Sequence, residues 1–139
     1  MKIHRREISL STKGEVDIID ITSRVGEVVA ESGVSNGIVN IFCRGSTCAI
    51  STIEYEPGLL KDLPNILERI APKDLEYEHH RRWGDFNGHS HVRATLLKSS
   101  LTVPVVNGEL YLGTWQQIVF VELDVRPRER RVLITVLGE

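Results

Sequence analysis

Leu101-Thr102-Val103-Pro104-Val105-Val106-Asn107-Gly108-Glu109-Leu110-Tyr111-Leu112 is the stretch on which the fold class turns. Two strand-like runs flank an Asn-Gly pair, and Asn-Gly fits a type I′ turn, so the segment predicts an antiparallel hairpin. Downstream, Gln116–Val125 and Arg131–Leu137 read as two further strands joined by a basic turn. Within the first, Ile118-Val119-Phe120-Val121 is apolar on both faces and calls for cover on both, by a second sheet, a helix or a neighbouring subunit.

Upstream, Ile3–Leu10 alternates apolar and polar residues, Thr12–Glu15 forms a turn, and Val16–Ile19 continues as a second strand. Asp20 or Thr22 can cap a helix through Glu31 that buries Val25, Val28 and Val29 and ends at Gly33. Gly37–Cys43 is a buried strand by its β-branched and aromatic content, with Thr47–Ile53 expected as its hairpin partner. Pro57 and Gly58 open a helical stretch to Pro72, which Pro64 either restarts or kinks. After a histidine-rich loop, a short helix is expected from Gly88 or His89 to about Lys98. Some eight strands and two or three helices, with strands dominating the C-terminal half, predict a single α+β domain built on an antiparallel sheet.

The chain has 139 residues, 17 basic against 19 acidic, for a net charge of −2. That length suffices for a hydrophobic core without disulfides, and the charge gives no drive toward nucleic acid or anionic membrane. Cys43 and Cys48 are not a C-x-x-C pair and read as reduced, mostly buried thiols. No signal-like opening and no apolar run near the ~18–20 residues of a membrane span occurs, so a cytoplasmic protein is expected.

Four of the five histidines lie in Tyr77–Ala94. His79, His89 and His91, with Asp85 or Glu54, suit zinc or another borderline divalent ion; solvated histidines are the plain alternative. His89 and His91 share a side on an extended backbone but diverge by about 200° on a helix. Gly84–Gly88 runs into a helix start, where free N–H groups attract phosphate; Asn87 is then a cap and Arg93 a charged donor. Glu54 and Glu56 can act in acid–base chemistry, or Glu56 can serve helix entry. Trp115 and Gln116 can stack on and bond a heteroaromatic ligand, or belong to core or interface. Arg126–Arg131 reads as a solvated turn, and Cys48 has no neighbouring base in sequence to activate it.

Thr47–Leu59, Tyr77-Glu78-His79, Gly84–His91, Leu101–Pro104, Leu112–Gln117 and Arg126-Pro127-Arg128 together resemble the YjbQ family over essentially the whole length. The resemblance implies a β-sandwich-like α+β domain, a homotrimer with sites near subunit contacts, and a divalent metal, Mg or Zn. It also implies a secondary thiamine-phosphate synthase activity on small phosphorylated metabolites, joining a pyrimidine methyl diphosphate to a thiazole phosphate. A non-enzymatic metal- or ligand-binding trimer and a metal-dependent phosphohydrolase are alternatives. Carried over by residue, His79, Asn87 and His91 match the family's histidine–asparagine–histidine pattern, Glu54 and Glu56 its acidic turn, and Trp115 with Gln116 its Trp–polar pair. With the reading of the loop itself, His79, His91, Glu54 and Asp85 are then expected to be catalytic. Asn87, Gly88, Arg93, Trp115 and Gln116 would bind substrate, and His79, His89 and His91 would hold metal. Gly45 departs from the family pattern, standing where many relatives carry a histidine.

Overall fold

The computed structural model describes residues 1–139. In chain order its elements are β1 (Lys2–Ser11), β2 (Asp17–Asp20), α1 (Thr22–Ser32), β3 (Gly37–Cys43), β4 (Cys48–Ile53), α2 (Pro57–Ile70), α3 (Glu78–Trp83), α4 (Gly88–Leu97), β5 (Ser100–Val106), β6 (Glu109–Leu110), β7 (Gln117–Glu122) and β8 (Glu129–Gly138). One sheet has the order β1-β8-β3-β5-β6 and the other β2-β7-β4, every pairing antiparallel. The expected α+β architecture is therefore present, with four helices rather than two or three.

The doubly apolar strand β7 sets the layering. Ile118 and Phe120 point into a core shared with the five-stranded sheet and the Val25, Val28 and Val29 face of α1. Val119 and Val121 point the other way, into a second core with Leu67 of α2 and Ala94 of α4. All four are 1% exposed or less, each worth about 1.5–3 kcal/mol of burial. Sheet, sheet and helices thus form three layers, and the helical layer carries the candidate site.

Asn107 and Gly108 take φ of 52° and 80°, the type I′ turn that the sequence predicts. Its return strand is shorter than expected. The proposed β3–β4 hairpin does not form: β3 lies between β8 and β5, while β4 pairs with β7 in the other sheet. The four-residue connection Arg44–Thr47 carries the chain between sheets instead of back along its own strand. Helix α2 runs unbroken through Pro64, opened by the Glu56 carboxylate, which accepts from Gly58 N (2.9 Å) and Leu59 N (2.6 Å). The histidine-rich stretch, expected as loop, contains the one-and-a-half-turn helix α3, ended by Gly84 at φ 73°.

Candidate functional site

Helix α4 sorts the histidines. His91 faces His79 of α3, with ring centroids 4.4 Å apart, and lines a polar cleft of about 330 Å³. Gly45 and Ser46 from the loop before β4, Cys48, and Ala94, Thr95, Lys98 and Ser99 form the rest of its wall. His89 points away, as i and i+2 must on a helix. It is fully buried, and its Nε2 lies 2.6 Å from Glu15, which also pairs with Lys73 at 2.8 Å. His89 therefore fastens α4 to the β1–β2 turn and to the segment after α2. His80 pairs with Glu76 and stacks on Phe86.

The three histidines expected to share a metal do not converge, and no group of three His, Cys, Asp or Glu side chains is placed to hold an ion. His79 Nδ1 is buried without a hydrogen-bond partner, and Asp85 stands 3.5 Å from it, too far for a good bond. Two imidazoles and a distant, half-exposed carboxylate do not make a zinc or magnesium site within one chain.

The phosphate cradle expected at the start of α4 is closed. Asn87, Gly88, His89 and Ser90 are all buried, and a Cβ on Gly88 would meet Tyr77 Cβ at 2.6 Å. Gly88 thus serves close packing, not ligand approach. Asn87 makes no side-chain cap; its Nδ2 donates to Asp124 at 3.2 Å and its Oδ1 has no partner. Arg93 is 2% exposed, donating to Ala71 O (3.0 Å) and Glu68 (2.7 Å). It clamps α4 to the end of α2 and has no reach toward a ligand.

Glu54, Trp115 and Gln116 occupy the opposite end of the same strands. Cys48, beside His91, pairs with Glu122 at one end of β4, whereas Ile53, next to Glu54, pairs with Gln117 at the other. Five residues of strand separate these ends by about 17 Å. Glu54 and Trp115 line a separate cleft of about 300 Å³ with Asp20, Tyr55, Glu56, Thr114 and Gln117. Trp115 is 71% exposed there. Gln116 is turned to its own loop, accepting from Gly113 N and donating to Thr52. The residues assigned to one site in the sequence thus form two within a single chain.

Beneath the His91 cleft lies a buried ionic network that the sequence reading missed. Glu122, fully buried, accepts from Arg130 Nε (2.8 Å) and Nη2 (2.6 Å), from Thr12 Oγ1 (2.8 Å) and from Asp124 N (3.0 Å). Arg130 also holds the cleft loop, donating from Nη2 to Thr47 Oγ1 at 2.8 Å. Asp124 takes Arg128 Nε (3.0 Å), Thr47 Oγ1 (3.2 Å) and Asn87. Burial alone would raise the Asp124 carboxyl, but Arg128, Val125 N and Asn87 hold it at about 2. Arg128 and Arg130 come from the run expected to be a solvated turn, of which Arg126, Pro127, Glu129 and Arg131 are exposed while Arg128 is half-buried and Arg130 buried.

The same network corrects the reading of Cys48. Both thiols are free and buried, as expected. Arg130, remote in sequence, nevertheless reaches the pair. The neighbouring Cys43 thiol first, and Arg130 with it, lower the Cys48 thiol against the effect of burial, while Cys48 and burial raise Cys43. Gly45 packs closely over Arg130 and Cys48: a Cβ there would lie 2.8 Å from Arg130 Nη1 and 3.1 Å from Cys48 Sγ. His91 is held below the ordinary imidazole range by burial first and the neighbouring His79 second, against the opposing pull of Asp124, Asp85 and Ser46. At neutral pH its ring is a neutral donor–acceptor facing a cleft whose wall carries no carboxylate.

No helix is long and apolar enough to cross a membrane. The family model described as "UPF0047 protein YjbQ-like" matches residues 6–139. A UPF0047 protein of Methanothermobacter thermautotrophicus is 48% identical over 139 residues, covering all of this chain and 95% of that one. The UPF0047 protein YugU of Bacillus subtilis is 31% identical over 134 residues, covering 96% and 98%. A crystal structure of a YbjQ-like protein of unknown function from Sulfolobus solfataricus superposes with a TM-score of 0.94 at 37% identity, covering 99% of each chain. A YjbQ/UPF0047 protein from Clostridium acetobutylicum gives 0.87 at 38% identity, covering 95% and 99%. With the antiparallel sheets, the helical layer and the match along nearly the whole sequence in agreement, the chain belongs to the YjbQ/UPF0047 family.

Proposed function

We propose that this protein binds a small phosphorylated metabolite in the cleft between α4 and the loop before β4, and that it catalyses a thiamine-phosphate-synthase-like condensation there. The ring nitrogen of a thiazole phosphate attacks the methylene carbon of a pyrimidine methyl diphosphate. A carbon–nitrogen bond forms, the carbon–oxygen bond to the diphosphate breaks, and diphosphate leaves with that electron pair. The observation that carries this reading is the His79–His91 pair, 4.4 Å between centroids, on a polar cleft free of carboxylates. An entering anion offsets the burial that holds His91 neutral, so the ring gains a proton as the ligand binds. His91 can then return that proton to the departing diphosphate as a general acid. No step depends on a metal.

The family resemblance adds a homotrimer in the cytoplasm to this proposal. In such an assembly the exposed Trp115 edge of one copy would supply the pyrimidine-stacking surface that the His91 cleft of another lacks. Steady-state assays on both thiamine precursors test the reading. Wild-type protein should turn over, and His91→Ala should lose about 10²-fold or more with its circular dichroism unchanged. Unchanged turnover in the variant would sink the role of His91. Stoichiometric binding of inorganic pyrophosphate without turnover would favour the non-enzymatic binding protein. Light scattering on the same samples reads the assembly, and a fully active monomer would remove the shared-site arrangement.

A further inference from the structure

Lys98 ends helix α4 with φ 74° and ψ 156°. That combination lies in the region of backbone space open essentially to glycine alone, and a side chain there strains the chain. The strain is held in place from three sides. Lys98 N donates to Ala94 O at 2.8 Å, Ile50 N of β4 donates to Lys98 O at 3.1 Å, and Cys43 N of β3 donates to Ser99 O at 3.0 Å. The Lys98–Ser99 backbone is thus pinned to one strand of each sheet, and glycine would satisfy every one of those bonds without strain. The residue found there instead is an exposed lysine that lines the His91 cleft.

We propose that Lys98 is the anion anchor of this cleft, a binding residue for the phosphate or diphosphate group of the ligand. The proposal rests on the phosphate-binding part of the reading above and not on the condensation chemistry. The cleft lies at the C-terminal end of α4, whose free carbonyls present partial negative charge and would repel an anion. A cation at the cap position reverses that field where the ligand enters, and no carboxylate on the wall competes for it. Ser46, Ser99 and Thr95 supply hydroxyls around it, and His91 supplies the second basic group. The ligand class is therefore a phosphate monoester or diphosphate dianion. Strain at Lys98 is tolerated because the charge is needed at that point of the backbone.

Calorimetric titration with inorganic pyrophosphate and ligand-free thermal melts, on wild type, Lys98→Gly, Lys98→Arg and His91→Ala, test it. Lys98→Gly should melt above wild type and bind pyrophosphate about tenfold or more weakly. Lys98→Arg, which keeps both charge and strain, should match wild type in melting and stay within about threefold in affinity. A Lys98→Gly protein that melts lower than wild type overturns the strained-anchor argument. One that binds pyrophosphate as tightly as wild type, while His91→Ala is weakened, overturns the anchor but leaves the cleft as the phosphate site. Wild-type protein that fails to bind pyrophosphate removes both. Binding that depends on Lys98 without turnover on thiamine precursors keeps the anchor and discards the condensation.

Discussion

Removing the guanidinium of Arg130 should be among the most damaging single changes this fold can suffer. Arg130 is 9% exposed and Glu122 fully buried, so Arg130→Met leaves a carboxylate in the interior with only Thr12 Oγ1 and Asp124 N to satisfy it. Breaking a buried ion pair from one side costs about 3–5 kcal/mol. A chain of this length has roughly 7–20 kcal/mol of stability in all. The expected fall in melting temperature is about 10–15 °C, at roughly 3 °C per kcal/mol for a domain of this size. Arg130 Nη2 also holds Thr47, so the variant should loosen the Gly45–Ser46 side of the cleft and weaken pyrophosphate binding. Urea unfolding followed by circular dichroism measures the cost, with Glu122→Met and the double variant completing a cycle. The double variant should cost less than either single change, because it alone leaves no unpaired charge. A single-variant cost below about 1 kcal/mol, or a double variant equal to the sum of the singles, would refute the view of this pair as one buried unit.

The acid limb of stability should show two carboxylate- and imidazole-linked losses. Asp124 sits at about 2 against an unfolded 3.8, so its contribution is present above pH 4 and disappears as pH falls through 2. That contribution is about 2 kcal/mol after allowance for the partly exposed Arg128, and urea midpoints of Asp124→Asn between pH 2 and 5 should flatten accordingly. His91 is also depressed in the folded state, so the unfolded chain takes a proton first and stability declines as pH drops below 6.5. In His91→Asn that slope should disappear, and a slope equal to wild type would assign it elsewhere. Gly88→Ala should cost about 1–3 kcal/mol through collision with Tyr77, seen as a lower melting temperature; a neutral change would show that the start of α4 is loosely packed.

The parts of the fold that a local pattern can specify were legible. Asn107-Gly108 announced its turn, and Ile118–Val121 announced the two cores that β7 divides. The β3–β4 hairpin was not, because strand pairing is decided by partners far along the chain: β4 finds β7 some seventy residues on. Two misreadings carried signals that went unused. Along β8, period two places Arg130 on the same face as the buried Val132, Ile134 and Val136, so it was bound to point inward despite its charged neighbours. Along β7 the same rule puts Glu122 with Ile118 and Phe120. Two inward charges of opposite sign on two strands are a buried pair in waiting. His89 was legible as well, since the helical reading of α4 already turned it about 200° from His91. Lys98 was not legible at all, because its significance lies in a backbone angle that no residue pattern encodes.

The electrostatics of the cleft follow from which charges the fold has already used. The chain as a whole is acidic by two charges. Around the cleft, however, the nearby carboxylates have partners: Glu122 in Arg130, Asp124 in Arg128, Glu15 in His89 and Lys73, and the more exposed Asp85 in His79. The cationic groups left facing solvent or the cleft are Lys98 and, exposed beside Gly45, Arg44. Pairing the carboxylates while leaving Lys98 and Arg44 outward favours a local positive field in a protein whose net charge would not suggest one. That partition also explains why the anion site is not at the N-terminus of α4. There the helix's free N–H groups lie buried under Tyr77, and positive potential that is sealed in packing is of no use to a ligand. At the other end of the helix the backbone dipole opposes an anion, so attraction must come from side chains. The fold puts Lys98 at that point, in a conformation that glycine would occupy more easily.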